Sequence, residues 1–317
     1  MVATCGGSPV RMVASRVPSA ARMLDGSSHG GAHDPARAGR PSRPRAAAVR
    51  PRSLVVDLYG DYVRYRGGEA SLQTITALLR NFGVSAETGR VTVARLRAQG
   101  WLSSRRLGRS SWYALTPHSW HLLDEGRERM FQRRRAPWTG EWYMAIYNVP
   151  EPHRAERELL RRALSGLGFG PLVPSTWVSP HNRFPELREA LEAAGVKART
   201  ELFTARTGSL ERDRDLASRC WDLDGLQHGY AQFVRAWHPR VALYRAGEVD
   251  DLHCLIDRVR LVDEYRRFPR VDPDLPVELL PPAWQGSRAH ALFLDIYARL
   301  RAPAFRSFDA VFKPPPQ

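Results

Sequence analysis

Six arginines carry the most legible chemistry in this chain. Arg90, Arg95 and Arg97 fall in one predicted helix, and Arg105, Arg106 and Arg109 in the hairpin after it. A guanidinium fork matches the O6 and N7 edge of guanine and the paired oxygens of a phosphate, so this grouping points to duplex DNA. Arg90 and Ala94 stand one turn apart and face outward, with Arg97 close by. Arg95 lies nearer the buried side and is expected to pair internally, for instance with Asp57 or Asp61. The three hairpin arginines suit phosphate or minor-groove contact. The plainer alternative is a solvated helix face and a hairpin tip charged for solubility.

The elements that must position these side chains follow from apolar spacing and caps. Leu54, Val55, Leu58, Tyr62 and Val63 share one helical face, and Gly67-Gly68 stops that helix. Ser71 caps a second helix, Leu72–Phe82, with Leu72, Ile75, Leu78 and Leu79 inward. Ser85 caps a third, where Glu87 suits the positive helix end and Val93 and Leu96 face inward. Strands at Trp101–Arg106 and Ser111–Leu115 enclose a tip at 107–110. Thr116 and Pro117 open a further helix to about Phe131. The order predicts a recognition helix followed by a basic β-wing, a winged helix-turn-helix over 52–134. Ser85, at the start of the third helix, joins the six arginines as a DNA-contact candidate.

Charge placement supports the same partner. The chain has 317 residues and a net charge of +15. Residues 1–52 hold nine arginines and two acids, and residues 53–135 hold fourteen arginines and seven acids; residues 136–317 hold 25 basic and 24 acidic side chains. The excess sits in the first 135 residues, where it favours a polyanion and makes binding salt-dependent. Lys197 and Lys313 are the only lysines, which fits GC-rich coding; that bias explains arginine over lysine but not where the excess lies. Residues 1–51 read as a disordered basic tail, with Met12 and Met23 as alternative starts.

After a linker candidate at 132–137, a strand is expected at Glu141–Val149, a helix at Arg154–Leu167, a strand at Leu172–Ser179, a helix at Pro185–Ala194 and a strand at Val196–Ala205. This order fits a ferredoxin-like α+β domain over 138–208. From residue 209 onward the spacing is helical, ending in a last helix at Arg288–Arg301 and a frayed Lys313–Gln317. The fold class is therefore α+β and multidomain, with an all-α C-terminal domain.

No apolar run reaches the roughly 20 residues of a membrane helix. Cys5, Cys220 and Cys254 are scattered, which suggests a reducing cytoplasm and no structural zinc. Motifs of serine hydrolases, zinc proteases and P-loops are missing, so the reading is not enzymatic and implies no catalytic residue, metal or cofactor. Asp222 and Asp224 flank Leu223 on a helix and do not converge. Tyr265, Arg266 and Arg267, beside Phe268, could clamp a phosphate or carboxylate and stack a ring; equally, they could end a helix whose dipole the arginines complement. Trp221 is split in the same way between pocket wall and core.

The chain resembles the PaaX family of bacterial transcriptional regulators over roughly Arg52–Phe308. The resemblance rests on Gly60-Asp61-Tyr62-Val63 with Arg66-Gly67-Gly68-Glu69, and on Ala94-Arg95-Leu96 with Gly100-Trp101-Leu102. It also rests on Gly108-Arg109 before Tyr113-Ala-Leu-Thr-Pro, and on Leu167-Gly168-Phe169-Gly170-Pro171 with Trp177-Val178-Ser179-Pro180. Trp221-Asp222-Leu223, Glu264-Tyr265-Arg266-Arg267-Phe268, Asp272-Pro-Asp-Leu-Pro and Leu279-Leu280-Pro complete it. The resemblance implies a dimeric repressor of phenylacetate-type aromatic catabolism, released from a double-stranded operator by an aryl-CoA or acyl-CoA thioester such as phenylacetyl-CoA. It also implies a middle domain similar to a CRISPR spacer-integration nuclease subunit, which makes a metal-dependent nuclease one alternative; a constitutive repressor without ligand response is another.

Three positions depart from the pattern. Asn148 stands where the nuclease-like fold would carry a metal-binding aspartate, which argues against hydrolysis. Gly89 replaces a larger apolar residue and should loosen the third helix. Asp263 stands where relatives often have histidine, which allows an effector other than phenylacetyl-CoA.

Overall fold

The computed structural model describes residues 49–133 and 137–315. The expected basic tail, but for its last residues, the middle of the 132–137 linker and the final two residues lie outside that range. The first helix, α1 (Pro51–Asp61), opens on a proline whose fixed φ suits that position. A 3-10 turn, Val63–Arg66, and the left-handed Gly67 and Gly68 (φ 87° and 76°) end it. Strand β1 (Glu69–Ser71) follows; it was not expected from sequence, because three residues carry too little alternation to be seen.

Ser71 Oγ accepts from Thr74 N at 3.1 Å and caps α2 (Leu72–Arg80). Ser85 Oγ accepts from Thr88 N at 3.1 Å and caps α3 (Ala86–Ala98). β2 (Leu102–Leu107) and β3 (Ser110–Leu115) form an antiparallel hairpin, and the sheet order is β1-β3-β2. α4 (Pro117–Phe131) begins at the Thr116 cap.

The second sheet contains β4 (Trp142–Tyr147), β5 (Gly170–Val173), β6 (Thr176–Ser179) and β7 (Thr200–Ala205), in the order β5-β6-β4-β7, with every pair antiparallel. The single strand expected over 172–179 is instead the hairpin β5–β6, since Pro174-Ser175 turns the chain between them. α5 (Arg154–Gly166) and α6 (Phe184–Ala193) pack on one face, around Ala145, Tyr147, Leu160, Leu164, Trp177 and Leu187. The other face presents Trp142 and Val178 to the helices that follow.

Those helices are α7 (Leu210–Cys220), α8 (Leu223–Trp237), α9 (Val241–Ala246), α10 (Asp251–Tyr265), α11 (Gln285–Arg299) and α12 (Arg301–Val311). The expected last helix is α11, and α12 lies beyond it, because the chain re-enters a helix at once after Leu300. Asp222 is not within a helix. Its side chain accepts from Gly225 N at 2.9 Å and caps α8, so it marks the break after α7. Buried Asp213 fastens α7 to the second sheet, accepting from Trp142 Nε1 at 2.7 Å and Trp138 Nε1 at 3.0 Å. No helix among the described residues is long and apolar enough to cross a membrane.

The cores do not follow chain order. Leu54, Leu58, Tyr62, Leu79, Val93 and Leu96 bury against Leu255 and Val259 of α10, Phe308 of α12 and Phe312 just after it. The Phe308 ring stacks on Tyr62 at 5.1 Å. The segment from Leu54 to Leu115 is thus seated on the C-terminal helices by apolar burial, the main favourable term in folding.

Candidate nucleic-acid interface

α3 buries Gly89, Val93 and Leu96 and turns Glu87, Arg90, Val91, Ala94, Arg95, Arg97 and Ala98 to solvent. Glu87, Arg90, Val91, Ala94 and Arg97 recur at three- and four-residue spacing, so they lie along one outer face. Two small alanines on that side let the helix approach a surface closely. Val91 is 53% exposed on the same face as Arg90 and Ala94, an apolar side chain of the kind that meets a thymine methyl. Its outward register was legible from the positions of Arg90 and Ala94, but an apolar residue gave no reason to look there.

The helix is held from below. α3 runs unbroken from Ala86 to Ala98 across Gly89. A Cβ on Gly89 would stand 3.2 Å from both Leu79 Cδ1 and Thr76 Cγ2, so the glycine lets α3 sit close on α2. Arg95 is exposed and makes no ion pair among the described residues. The acids expected to receive it are occupied. Asp57 accepts from Arg266 at 2.6 Å, and Asp61 accepts from Arg127 at 3.1 Å and from the Tyr297 hydroxyl at 2.8 Å.

The hairpin arginines divide by face, as successive strand residues must. Arg105, though exposed, reaches across the sheet to Glu69 of β1, with Nε 2.9 Å from both carboxylate oxygens and Nη2 2.5 Å from Oε2. This bidentate pair neutralises Arg105. Arg106 points the opposite way, exposed and without a carboxylate among the described residues. Leu107 pairs with Ser110, so Gly108-Arg109 is a two-residue turn with left-handed Gly108 (φ 59°) first, a geometry that glycine favours. Arg109 therefore projects from the tip. Arg97 Nη1 lies 3.4 Å from Ser104 Oγ, linking helix and hairpin. Ser85 is exposed, but its hydroxyl is engaged with Thr88.

The four residues singled out for an effector do not converge. Tyr265 is fully buried, stacked on Phe293 at 4.2 Å, with its hydroxyl 2.9 Å from His290 Nδ1. Arg266 reaches from α10 to Asp57 of α1 and also pairs with Asp263. Arg267 is exposed over the Phe268 ring at 4.9 Å. Trp221 lies elsewhere, against Trp142 and Gly170, where a Cβ would come within 2.6 Å of its ring. Gly170 and Trp221, distant in sequence, form one close contact.

The carboxylates of these ion pairs, Asp57 and Asp61, are buried, while Arg266 and Arg127 are partly exposed. Desolvation raises the Asp57 carboxyl well above its usual range, although Arg266 pulls it down. Arg258, buried in α10, stands over the Tyr297 ring at 3.9 Å. Cys220 and Cys254 are buried free thiols, each pushed up to about 11 by burial, and so poor nucleophiles at neutral pH. Asn148 is exposed just past β4. No group of three metal-ligating side chains occurs among the described residues.

Three family models match the chain: "PaaX-like protein" over residues 50–119, "PaaX protein central Cas2-like domain" over 135–217 and "PaaX-like protein C-terminal domain" over 221–310. The chain is 31% identical over 268 residues to the transcriptional repressor PaaX of Escherichia coli strain K12, covering 83% of this chain and 84% of that one. It shares a fold with the uncharacterized protein Rv0674 from Mycobacterium tuberculosis, with a TM-score of 0.56 and 23% identity over 82% of this chain and 98% of that one. The outward arginines thus sit in a chain that three models of one family match from residue 50 to residue 310 with short gaps between them, and the chain belongs to the PaaX family.

Proposed function

We propose that this protein is a DNA-binding transcriptional repressor and not an enzyme. The observation that carries the reading is the outer face of α3 with the hairpin tip. Arg90, Arg97, Arg106 and Arg109 are there exposed and free of carboxylate partners among the described residues. A folded chain that leaves this many guanidinium groups unneutralised on one helix and its adjoining hairpin favours a polyanion. The E. coli relative is a transcriptional repressor, which supports the same role here.

In this reading, residues 52–134 act as a winged helix-turn-helix, with α3 in the major groove and the β2–β3 tip on the backbone or in the minor groove. Residues 138–208 act as a ferredoxin-like unit, which the βαββαβ order and the β5-β6-β4-β7 sheet support. Residues 209–317 act as the helical unit that senses the effector. The protein works as a cytoplasmic homodimer on a palindromic operator of aromatic-compound (phenylacetate-type) genes. An aryl-CoA or acyl-CoA thioester favours a geometry in which the two recognition helices no longer match successive grooves. Asn148, in place of a carboxylate at the end of β4, weighs against a nuclease in the middle unit.

The test is a mobility-shift titration on duplexes selected from genomic fragments that the wild-type chain retains. Arg90→Ala is expected to lose the shift while its melting temperature and oligomeric state match wild type. Equal binding by wild type and Arg90→Ala would remove α3 from the interface.

A further inference from the structure

An open groove of about 520 Å³ lies where the N-terminal segment meets the last two helices. Tyr65 and Arg66, directly after α1, form one wall. Ala298 at the end of α11 and Arg301, Ala302 and Phe305 of α12 form the other. The Tyr65 and Phe305 rings meet edge to face at 6.0 Å. Arg301 is exposed, with its guanidinium 5.8 Å from each of these ring centroids, and it has no carboxylate partner among the described residues. Arg66 stands over the Phe305 ring at 5.2 Å and makes a bidentate pair with Asp309, at 2.8 and 2.7 Å. Two cations and one carboxylate therefore border two aromatic rings and two alanines.

We propose that this groove binds an anionic compound carrying a flat ring. A ring can stack on Tyr65 or Phe305, and an anion can neutralise Arg301, whose planar fork suits a phosphate or carboxylate. The short side chains of Ala298 and Ala302 leave room for the ring, and the volume is within the range of small-molecule sites. The proposal rests on the effector-responsive reading above and gives that effector its place. Two parts of an aryl-CoA thioester share the required chemistry: the adenine nucleotide end, and an aryl acid of the kind that forms the acyl end.

The position of the groove gives binding a consequence. One wall continues from α1, which packs under α3, and the other belongs to α11 and α12. A ligand touching both walls selects one spacing between them, and its anion competes with Asp309 for Arg66. Occupancy thus biases the seat of the DNA-reading helix through a differential contact, the requirement for any ligand-driven shift.

Isothermal titration calorimetry on the full chain tests this with four probes: phenylacetyl-coenzyme A, coenzyme A, adenosine 3′,5′-bisphosphate and phenylacetate. Arg301→Glu reverses the free cation and Ala302→Trp fills the groove; both positions are exposed, so the fold is expected to survive. Each variant is expected to weaken the thioester at least tenfold while retaining the operator duplex within twofold of wild type in the absence of ligand. Variant-sensitive binding of the bisphosphate assigns the groove to the nucleotide end, and variant-sensitive binding of phenylacetate assigns it to the aryl end. Thioester binding that is equal in wild type and both variants overturns the groove and leaves the effector-responsive repressor intact. Absence of binding by wild type to all four probes overturns both the groove and the effector half of that reading, while DNA binding is judged separately by the mobility shift.

Discussion

The same residue type has two fates in this molecule. On α3 and the hairpin tip, arginines stand exposed with no carboxylate beside them among the described residues. Beneath α1, arginines are drawn inward: Arg266 and Arg127 close on Asp57 and Asp61, and Arg258 lies buried over Tyr297. Composition alone does not separate the two groups. The difference lies in what each would leave behind if removed: a free cation costs the fold little, whereas a buried carboxylate without its partner costs much.

The largest effect should come from the inner group. Arg266→Ala leaves Asp57 buried without its main partner and is expected to lose about 3 kcal/mol of stability by urea unfolding. The pH dependence has a definite sign. Burial holds the Asp57 carboxyl above its ordinary value of 3.8. A group so raised contributes stability that is present below its unfolded pKa and is lost as pH rises through the folded value. The variant's deficit should therefore shrink as pH falls towards the carboxylate range and persist at neutrality. A deficit independent of pH would show that Asp57 is not the group left exposed to the loss.

Arg90→Ala should do the reverse, weakening DNA binding by about 2 kcal/mol, the scale of one good base contact, with no change in melting temperature. Loss of both binding and stability would erase the contrast between the two groups. Gly89→Leu tests the support under the outer group. With Leu79 and Thr76 already at 3.2 Å from a Cβ, overpacking is expected to cost about 1–3 kcal/mol and to weaken DNA binding with it. A stabilised variant would mean that the two helices can part cheaply. The smallest effect compares two hairpin neighbours. Arg109→Ala should reduce the slope of log K against log salt by about 0.9. Arg105→Ala, whose charge Glu69 already cancels, should change it less; equal changes would show that DNA draws Arg105 away from Glu69.

Much of the helix-and-hairpin region was legible because its signals are local. Ser71, Ser85 and Thr116 cap helices where a side-chain oxygen three residues ahead of an amide predicts it. The outward course of Arg90 followed from helical period. That Arg95 makes no ion pair among the described residues, and that Arg266 reaches Asp57, was not legible, since each outcome depends on which acid another segment delivers. Asp57 is separated from Arg266 by 209 positions. β1 was missed for its brevity, and α12 because Arg288–Arg301 already read as a terminal helix. Phe305, Phe308 and Phe312 nevertheless carried the apolar spacing that could have revealed it.

By itself, the sequence determined the local periodicities, the caps, the concentration of positive charge in the first 135 residues and the family to which those motifs belong. These depend on neighbours within a few residues or on simple counting. The tertiary structure decided which arginines stay free, that Gly89 serves close packing, and that α10 and α12 complete the core beneath α1. Those outcomes depend on burial and on ion pairs between segments far apart in the chain, where desolvation sets which charge can remain at the surface and which must find a partner.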